Sequence, residues 1–265
     1  MNKAYISFSF DDGRIDNYTI AYLILKKYHL PATFNITTGY VEGKFKKGSL
    51  TNAEPMSLDM VRELYYDSRM EIAGHGYWHR NTVEDITRGV QELKQQMDIH
   101  TGKEIDGFAS PGTGLDMDYY HKYREELHAS GIQYVRLSLR YLSNPKVKTF
   151  VRKVSRVVPF PFLYRWAYQD TLMESIQDDI LYSIPVLSSV SVEQLKSLIG
   201  HAVRKKMACV LMLHSIVETR QCRDNWDFDK EKFDRLCMYL SNAQGKGLLE
   251  VVTSRKVYEL LKTGE

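Results

Sequence analysis

The stretch Ser7-Phe8-Ser9-Phe10-Asp11-Asp12-Gly13 constrains this chain most, because an alternating run ends there in two adjacent carboxylates and a glycine. Ile6, Phe8 and Phe10 share one face of a strand and Tyr5, Ser7 and Ser9 the other, as a repeat of two requires. Asp11 and Asp12 then stand at the strand exit, where neighbouring side chains can aim in different directions and Gly13 permits a tight turn. One carboxylate can hold a metal ion while the other faces the metal's water. Taken alone, Asp-Asp-Gly is better read as a helix N-cap, so its weight as a site comes from the residues downstream.

Beyond it, strand-like runs alternate with helical periodicities. Asp16 or Asn17 is expected to cap a helix carrying Ile20, Leu23, Ile24 and Tyr28, which Pro31 ends. Further strands are expected over 32–37, 70–73, 105–109, 133–139, 180–186, 208–213 and 248–252. Ser57, Asp116, Ser254 and the pair Ser191–Gln194 mark helix starts. Thr82 with Asp85 is a weaker capping box, for a helix running towards His100 and closing at Gly102. Such alternation implies a parallel sheet closed into a barrel. The chemistry of barrels gathers at the carboxyl ends of their strands, which brings Asp11, Asp12, His75, His79, Gly112, Arg136 and His214 to one mouth. At 265 residues and 43% hydrophobic content, one domain spanning 1–265 is expected.

His75 and His79 have the i, i+4 separation that sets two imidazoles side by side on a helical turn, a spacing used for divalent metals. Two ligands do not make a site, and HxxxH also occurs by chance. Asp12 adds a carboxylate, enough to hold Zn²⁺ with room left for water and substrate. A bound ion lowers the pKa of its water from about 15.7 to about 7 and polarises a carbonyl. Amide hydrolysis then needs a base, for which Asp11 is the candidate, and an acid. His214, delivered after Leu211-Met212-Leu213, has an ordinary pKa suited to donation near neutrality. A buried neutral core histidine is the alternative for His214.

These motifs resemble those of the polysaccharide deacetylases, carbohydrate esterase family 4, over nearly the whole chain. The first motif, (T/S)FDDG, is Ser9-Phe10-Asp11-Asp12-Gly13. The second, H(S/T)xxH, is His75-Gly76-Tyr77-Trp78-His79, with Gly76 where a hydroxyl residue is usual. The resemblance implies a distorted (β/α)₇ barrel, with Asp11 as base, Asp12, His75 and His79 as metal ligands, and His214 as acid. It also implies an N-acetylated carbohydrate substrate and a divalent cofactor, Zn²⁺ first, with Co²⁺ or another ion as alternatives. The third motif departs, since Ala109 in Phe108-Ala109-Ser110-Pro111-Gly112-Thr113 stands where the family has an arginine that steadies the base. Without a replacement cation Asp11 should have a raised pKa; Arg136, leaving the next strand, is the candidate replacement, and a solvent-facing arginine is the alternative. Gly112 can still offer its backbone N–H to an oxyanion. The fourth motif, an Asp and a Trp that orient the acid histidine, has no clear counterpart between Arg136 and Pro185.

A basic, aromatic stretch at about 139–170 interrupts the rhythm and reads as an insertion. It is expected to form a lid whose cations face water while its aromatic residues pack on the body. The other reading is contact with an anionic membrane or a lipid-linked sugar. The net charge of +3 and the absence of any nucleic-acid motif argue against nucleic-acid partners. Cys209, Cys222 and Cys237 lack disulfide or metal spacing. With Met1-Asn2-Lys3 leading straight into the first strand, a cytoplasmic place is expected, at the inner face of the membrane if the basic stretch engages it. The activity expected is amino-sugar N-deacetylation during assembly of a surface polysaccharide. Two competing classes remain: an inactive sugar-binding homologue, and a non-haem iron oxygenase, which would leave Asp11 and His214 without roles.

Overall fold

The computed structural model describes residues 2–97, 103–140, 145–222 and 224–264. Seven parallel strands close into a barrel: β1 (Ala4–Phe10), β2 (Ala32–Ile36), β3 (Met70–Gly74), β4 (Gly107–Ala109), β5 (Tyr134–Leu137), β6 (Ile180–Pro185) and β7 (Ala208–Leu213), with β7 returning to pair along the length of β1. β8 (Ser215–Val217) and β9 (Asp227–Asp229) form a small parallel pair just past β7.

The barrel is distorted at β1. On the edge away from β7, its first half (Ala4–Ile6) pairs with β10 (Leu249–Val251), whereas Ser9 and Phe10 pair with β2. The alternation read in β1 decides which way it faces. Ile6, Phe8 and Phe10 join the large apolar cluster under the helices, while Tyr5 belongs to a second cluster with Tyr134, Leu181 and Val210. Ser7 and Ser9 are fully buried, and Asn35 of β2 donates to the Ser9 hydroxyl at 2.8 Å. Polar side chains inside the barrel are thus hydrogen-bonded to one another, which offsets their desolvation.

The helices begin largely where the sequence marks them. Ser57 accepts from the Met60 N–H at the start of α3 (Leu58–Tyr66), and Asp116 from Tyr119 at α5 (Met117–Ala129). Ser191 and Gln194 form a reciprocal capping box on α8 (Val192–Lys205). The helix after Gly13 differs from expectation. It opens as a wide π-helical segment, Asn17–Tyr22, before α1 (Leu23–Lys27), and Asp16 is itself helical and makes no cap. Its carboxylate instead accepts from the Ile216 N–H at 3.0 Å, and Asn17 donates to the His214 carbonyl, so both side chains fasten the β7 exit to the β1 exit.

A short helix, α2 (Thr38–Val41), follows β2, and α4 (Val83–Gln96) follows β3; the expected end at His100 and Gly102 lies outside the described residues. Thr82 caps α4 by accepting from Asp85 N–H, but the Asp85 side chain turns away to the N–H groups of Trp78 and Arg80. Strands β4 and β5 are shorter than expected. The remaining helices are α6 (Pro145–Val157) and α7 (Pro161–Tyr168) between β5 and β6, α9 (Lys230–Gly245), and α10 (Ser254–Thr263).

The expected orientation of the basic aromatic stretch holds for Lys146 and Lys153, which are exposed, and for Tyr164 and Tyr168, which are buried, but fails elsewhere. Lys148 and Arg152 of α6 are buried, whereas Phe150, Phe160 and Phe162 are exposed. Lys148 donates to the Trp166 carbonyl and pairs with Asp170 at 3.0 Å; Arg152 donates to the carbonyls of Ala167 and Arg140. Lys148 and Arg152 hold the two helices to the body, while Phe150, Phe160 and Phe162 are left outside.

Candidate active site

Strand ends deliver the site. After β1 the backbone of Asp12 turns into the left-handed region (φ 77°), followed by Gly13 at φ 86°. This reversal splits the two carboxylates. Asp12 Oδ1 lies 3.4 Å from the Nε2 atoms of both His75 and His79. One ligand atom from each of the three residues falls within a 4.8 Å cluster. Asp11 sits beside them and takes no part in that cluster.

His75 donates from Nδ1 to the Ala109 carbonyl at 2.8 Å, which leaves the Nε2 lone pair free for a metal. The loop between the histidines is clamped by Asp85. Gly76 at φ 78° makes this possible, because a Cβ there would lie 2.6 Å from Asp85 Oδ2. The hydroxyl residue usual at this position therefore does not fit this loop. Burial pushes the Asp12 carboxyl up, but the imidazoles of His75 and His79 against it and the nearby His214 and Arg14 outweigh it, leaving its pKa well below the ordinary range. The donors fit a divalent ion: one ionised carboxylate oxygen and two imidazole nitrogens, convergent and mostly buried.

Arg14 is a participant that the sequence reading missed. Its Nε and Nη2 bind Asp12 Oδ2 at 2.9 and 2.7 Å, and its Nη1 donates to the Ser215 hydroxyl. The carboxylate is fixed through one oxygen while the other faces the histidines. A neighbouring arginine two residues on is a weak signal in sequence, since most surface arginines face water.

Ala109 and Arg136 are register partners on β4 and β5, so a guanidinium one strand over can reach the space an arginine at 109 would fill. Arg136 Nη2 contacts both Asp11 oxygens, at 2.6 and 2.7 Å, and Nη1 donates to the Ser183 hydroxyl. Asn35 donates to Asp11 Oδ1 at 2.7 Å. Burial pushes the Asp11 carboxyl up, yet Arg136, with His75 and His214, more than cancels that and holds its pKa below the ordinary value. The rise expected without a replacement cation is absent.

His214 Nε2 is 3.9 Å from Asp11 Oδ2, and its ring packs on Trp226, centroids 4.3 Å apart. Its Nδ1 is buried with no hydrogen-bond partner among the described residues. The near-neutral pKa expected for His214 is not found: burial pushes it down to about 4, against the opposing pull of Asp12 and Asp11. Trp226 supplies an aromatic wall from beyond β8, far along the chain from residues 136–185. Together Asp11, Gly112, Met212, His214 and Trp226 line a pocket of about 220 Å³, closed on one side by Arg156 of α6. A more open groove of about 600 Å³ between α4 and α5 contains none of these groups.

The polysaccharide deacetylase family matches residues 1–135. No curated protein matches the chain. Among solved structures, the Xyl-CE4 domain of a multidomain xylanase from the hindgut metagenome of Trinervitermes trinervoides superposes with a TM-score of 0.51 at 14% identity, over 97% of this chain and 91% of that one. A mutant of peptidoglycan deacetylase PdaC from Bacillus subtilis gives 0.49 at 14% identity, over 98% and 92%. The BpsB deacetylase domain from Bordetella bronchiseptica gives 0.41 at 17% identity, over 51% of this chain and 64%, under two thirds, of that domain. With a closed parallel barrel, an Asp-His-His cluster at its mouth and a family match over half its length, the chain belongs to the polysaccharide deacetylase family.

Proposed function

We propose that the chain is a metal-dependent hydrolase that removes N-acetyl groups from an amino sugar in a polysaccharide or its lipid- or nucleotide-linked precursor. The observation that carries this is the separation of roles between adjacent carboxylates: Asp12 faces two imidazoles, while Asp11 is held apart by Arg136. Asp12, His75 and His79 would hold the ion, with Zn²⁺ well suited to this donor set. When bound, the ion supplies a more acidic water and polarises the amide carbonyl.

Arg136 positions Asp11 and keeps it ionised, so that it accepts the proton of the attacking water. Gly112, on the pocket wall, offers its N–H to the carbonyl oxygen as negative charge develops there. His214 is neutral at rest. It takes up the proton from Asp11 and delivers it to the departing amine, which keeps the nitrogen from leaving as an anion. Trp226 fixes the ring plane and the apolar side of the pocket. Released acetate from a panel of N-acetylhexosamine oligomers and their nucleotide- and lipid-linked forms, assayed with Zn²⁺ or Co²⁺, tests the reading. Activity above that of an Asp11→Asn variant supports it; equal release by both, or none on any substrate, rejects it.

A further inference from the structure

Helix α6 is amphipathic with its faces reversed. Its inward stripe is Lys148, Arg152 and Ser155, all buried. Its outward stripe is Val147, Phe150, Val154 and Val157, at the i, i+3, i+7, i+10 spacing that an apolar face normally uses to enter a core. Phe150 is 68% exposed and Val157 82%. The stripe continues past the end of α6 through Phe160 (65%) and Phe162 (66%) to Trp166 on α7. Of the eleven large apolar side chains exposed among the described residues, six fall between Val147 and Trp166. A concentration of this kind marks a binding surface, where scattered exposed residues would mark nothing.

Its charge says what covers it. Lys146 and Lys153 lie exposed along the edge of the stripe, and the Arg165 guanidinium sits 4.7 Å from the Phe162 ring. Arg204 and Lys205, exposed at the end of α8, join Arg165 in acting on His201. No acidic residue occurs from 127 to 169, and the next, Asp170, is already paired with Lys148. A second copy seated on this face about a twofold axis would bring its cationic edge against the same cationic edge. Exposed aromatic rings bordered by cations suit the interface of a bilayer with anionic headgroups. Among the described residues no helix is long and apolar enough to cross a membrane, so contact through this face is peripheral.

We propose that the outer face of α6 and α7, from Val147 to Trp166, docks the protein on an anionic lipid surface. The same helix places Arg156 at the catalytic pocket, next to Val157 on the outer face. Docking thus sets the pocket mouth beside the headgroups, where a lipid-borne sugar would be presented. The docking itself does not depend on the reaction assigned above.

Co-sedimentation of the full chain with vesicles of phosphatidylcholine alone, or mixed with phosphatidylglycerol, tests it. Binding to the mixed vesicles is expected to exceed that to the neutral ones by about tenfold or more, and to weaken with added salt. The triple variant Phe150→Ser, Phe160→Ser, Phe162→Ser should lose about tenfold in partitioning, and Lys146→Gln with Lys153→Gln a comparable amount. A control lacking two exposed lysines elsewhere, Lys26→Gln with Lys246→Gln, should bind as the wild type does. Circular dichroism shows that each variant is folded, and hydrolysis of a soluble substrate should be unchanged in all three. Equal binding to both vesicle types, or equal losses in the control and edge-lysine variants, overturns the proposal. So does a dimer in sedimentation equilibrium that the triple variant abolishes while vesicle binding is absent.

Discussion

Replacing Arg136 by methionine removes the partner of a carboxylate in the barrel lumen. The Arg136 and Asp11 side chains are 1% and 3% exposed, so neither charge is compensated by water. Breaking a buried pair by deleting one member typically costs about 3–5 kcal/mol, because the remaining charge is stranded. Asn35 still donates to Asp11, which places the expected loss towards the lower end, about 3 kcal/mol. The loss should depend on pH in a defined direction. In the wild type the Asp11 pKa is depressed, so its contribution is present above the ordinary value of 3.8 and fades as pH falls through the lower folded value. Without Arg136, burial dominates and the carboxyl is pushed up; the fold then favours the protonated form, and the deficit is greatest at neutral pH and shrinks on acidification. Urea unfolding of the metal-free protein, followed by tryptophan fluorescence at neutral pH and at about pH 5, measures this. Arg136→Lys should recover part of the stability, since one ammonium can reach one carboxylate oxygen. A deficit below about 1 kcal/mol at neutral pH, or one that does not change with pH, refutes Arg136 as the group that keeps Asp11 ionised.

The same geometry sets further outcomes. Arg14→Met frees Asp12 Oδ2 and should weaken Zn²⁺ binding by about 10–100-fold in chelator competition, with the fold intact; unchanged affinity would remove Arg14 from any role at the metal. Gly76→Ala puts a methyl against Asp85 and an unfavourable φ on a non-glycine residue, so thermal denaturation should show a loss of more than about 1 kcal/mol. His214→Ala should lower kcat by about 10²–10⁴ with little change in KM, and comparable losses in both would instead make it a binding residue. Because His214 is held at about 4 against an ordinary 6.5, it favours the fold while neutral, and that stability is lost as pH falls from 6.5 towards 4. Unfolding measured across that window should therefore be less pH-dependent in His214→Ala.

The sequence is most legible where one residue type has one local job. Alternation in β1 sets its buried faces, and Ser57, Asp116 and Ser191 act as caps because their partners lie three residues away. The candidate site residues gather because they lie at or just past strand ends, apart from Arg136, which reaches in from within β5. Arg14, Asp85 and Trp226 are not legible, since their parts depend on backbone turns that the sequence does not announce: Asp12 and His79 in the left-handed region, Gly76 beside Asp85. The orientation of α6 escapes sequence reasoning because long cations ordinarily face water. Lys148 and Arg152 instead find carbonyl groups at the ends of neighbouring elements, which offsets the cost of burying them.

The split edge of β1 ties remote parts of the sequence together. The strand that bears Asp11 and Asp12 at its exit has Leu249–Val251 along its first half, so its hydrogen-bonding is incomplete until that segment has emerged from the ribosome. Residues remote from the catalytic mouth thereby decide when it can take shape. A stop codon before Leu249 would spare every side chain named at the site and still deprive the first strand of a neighbour.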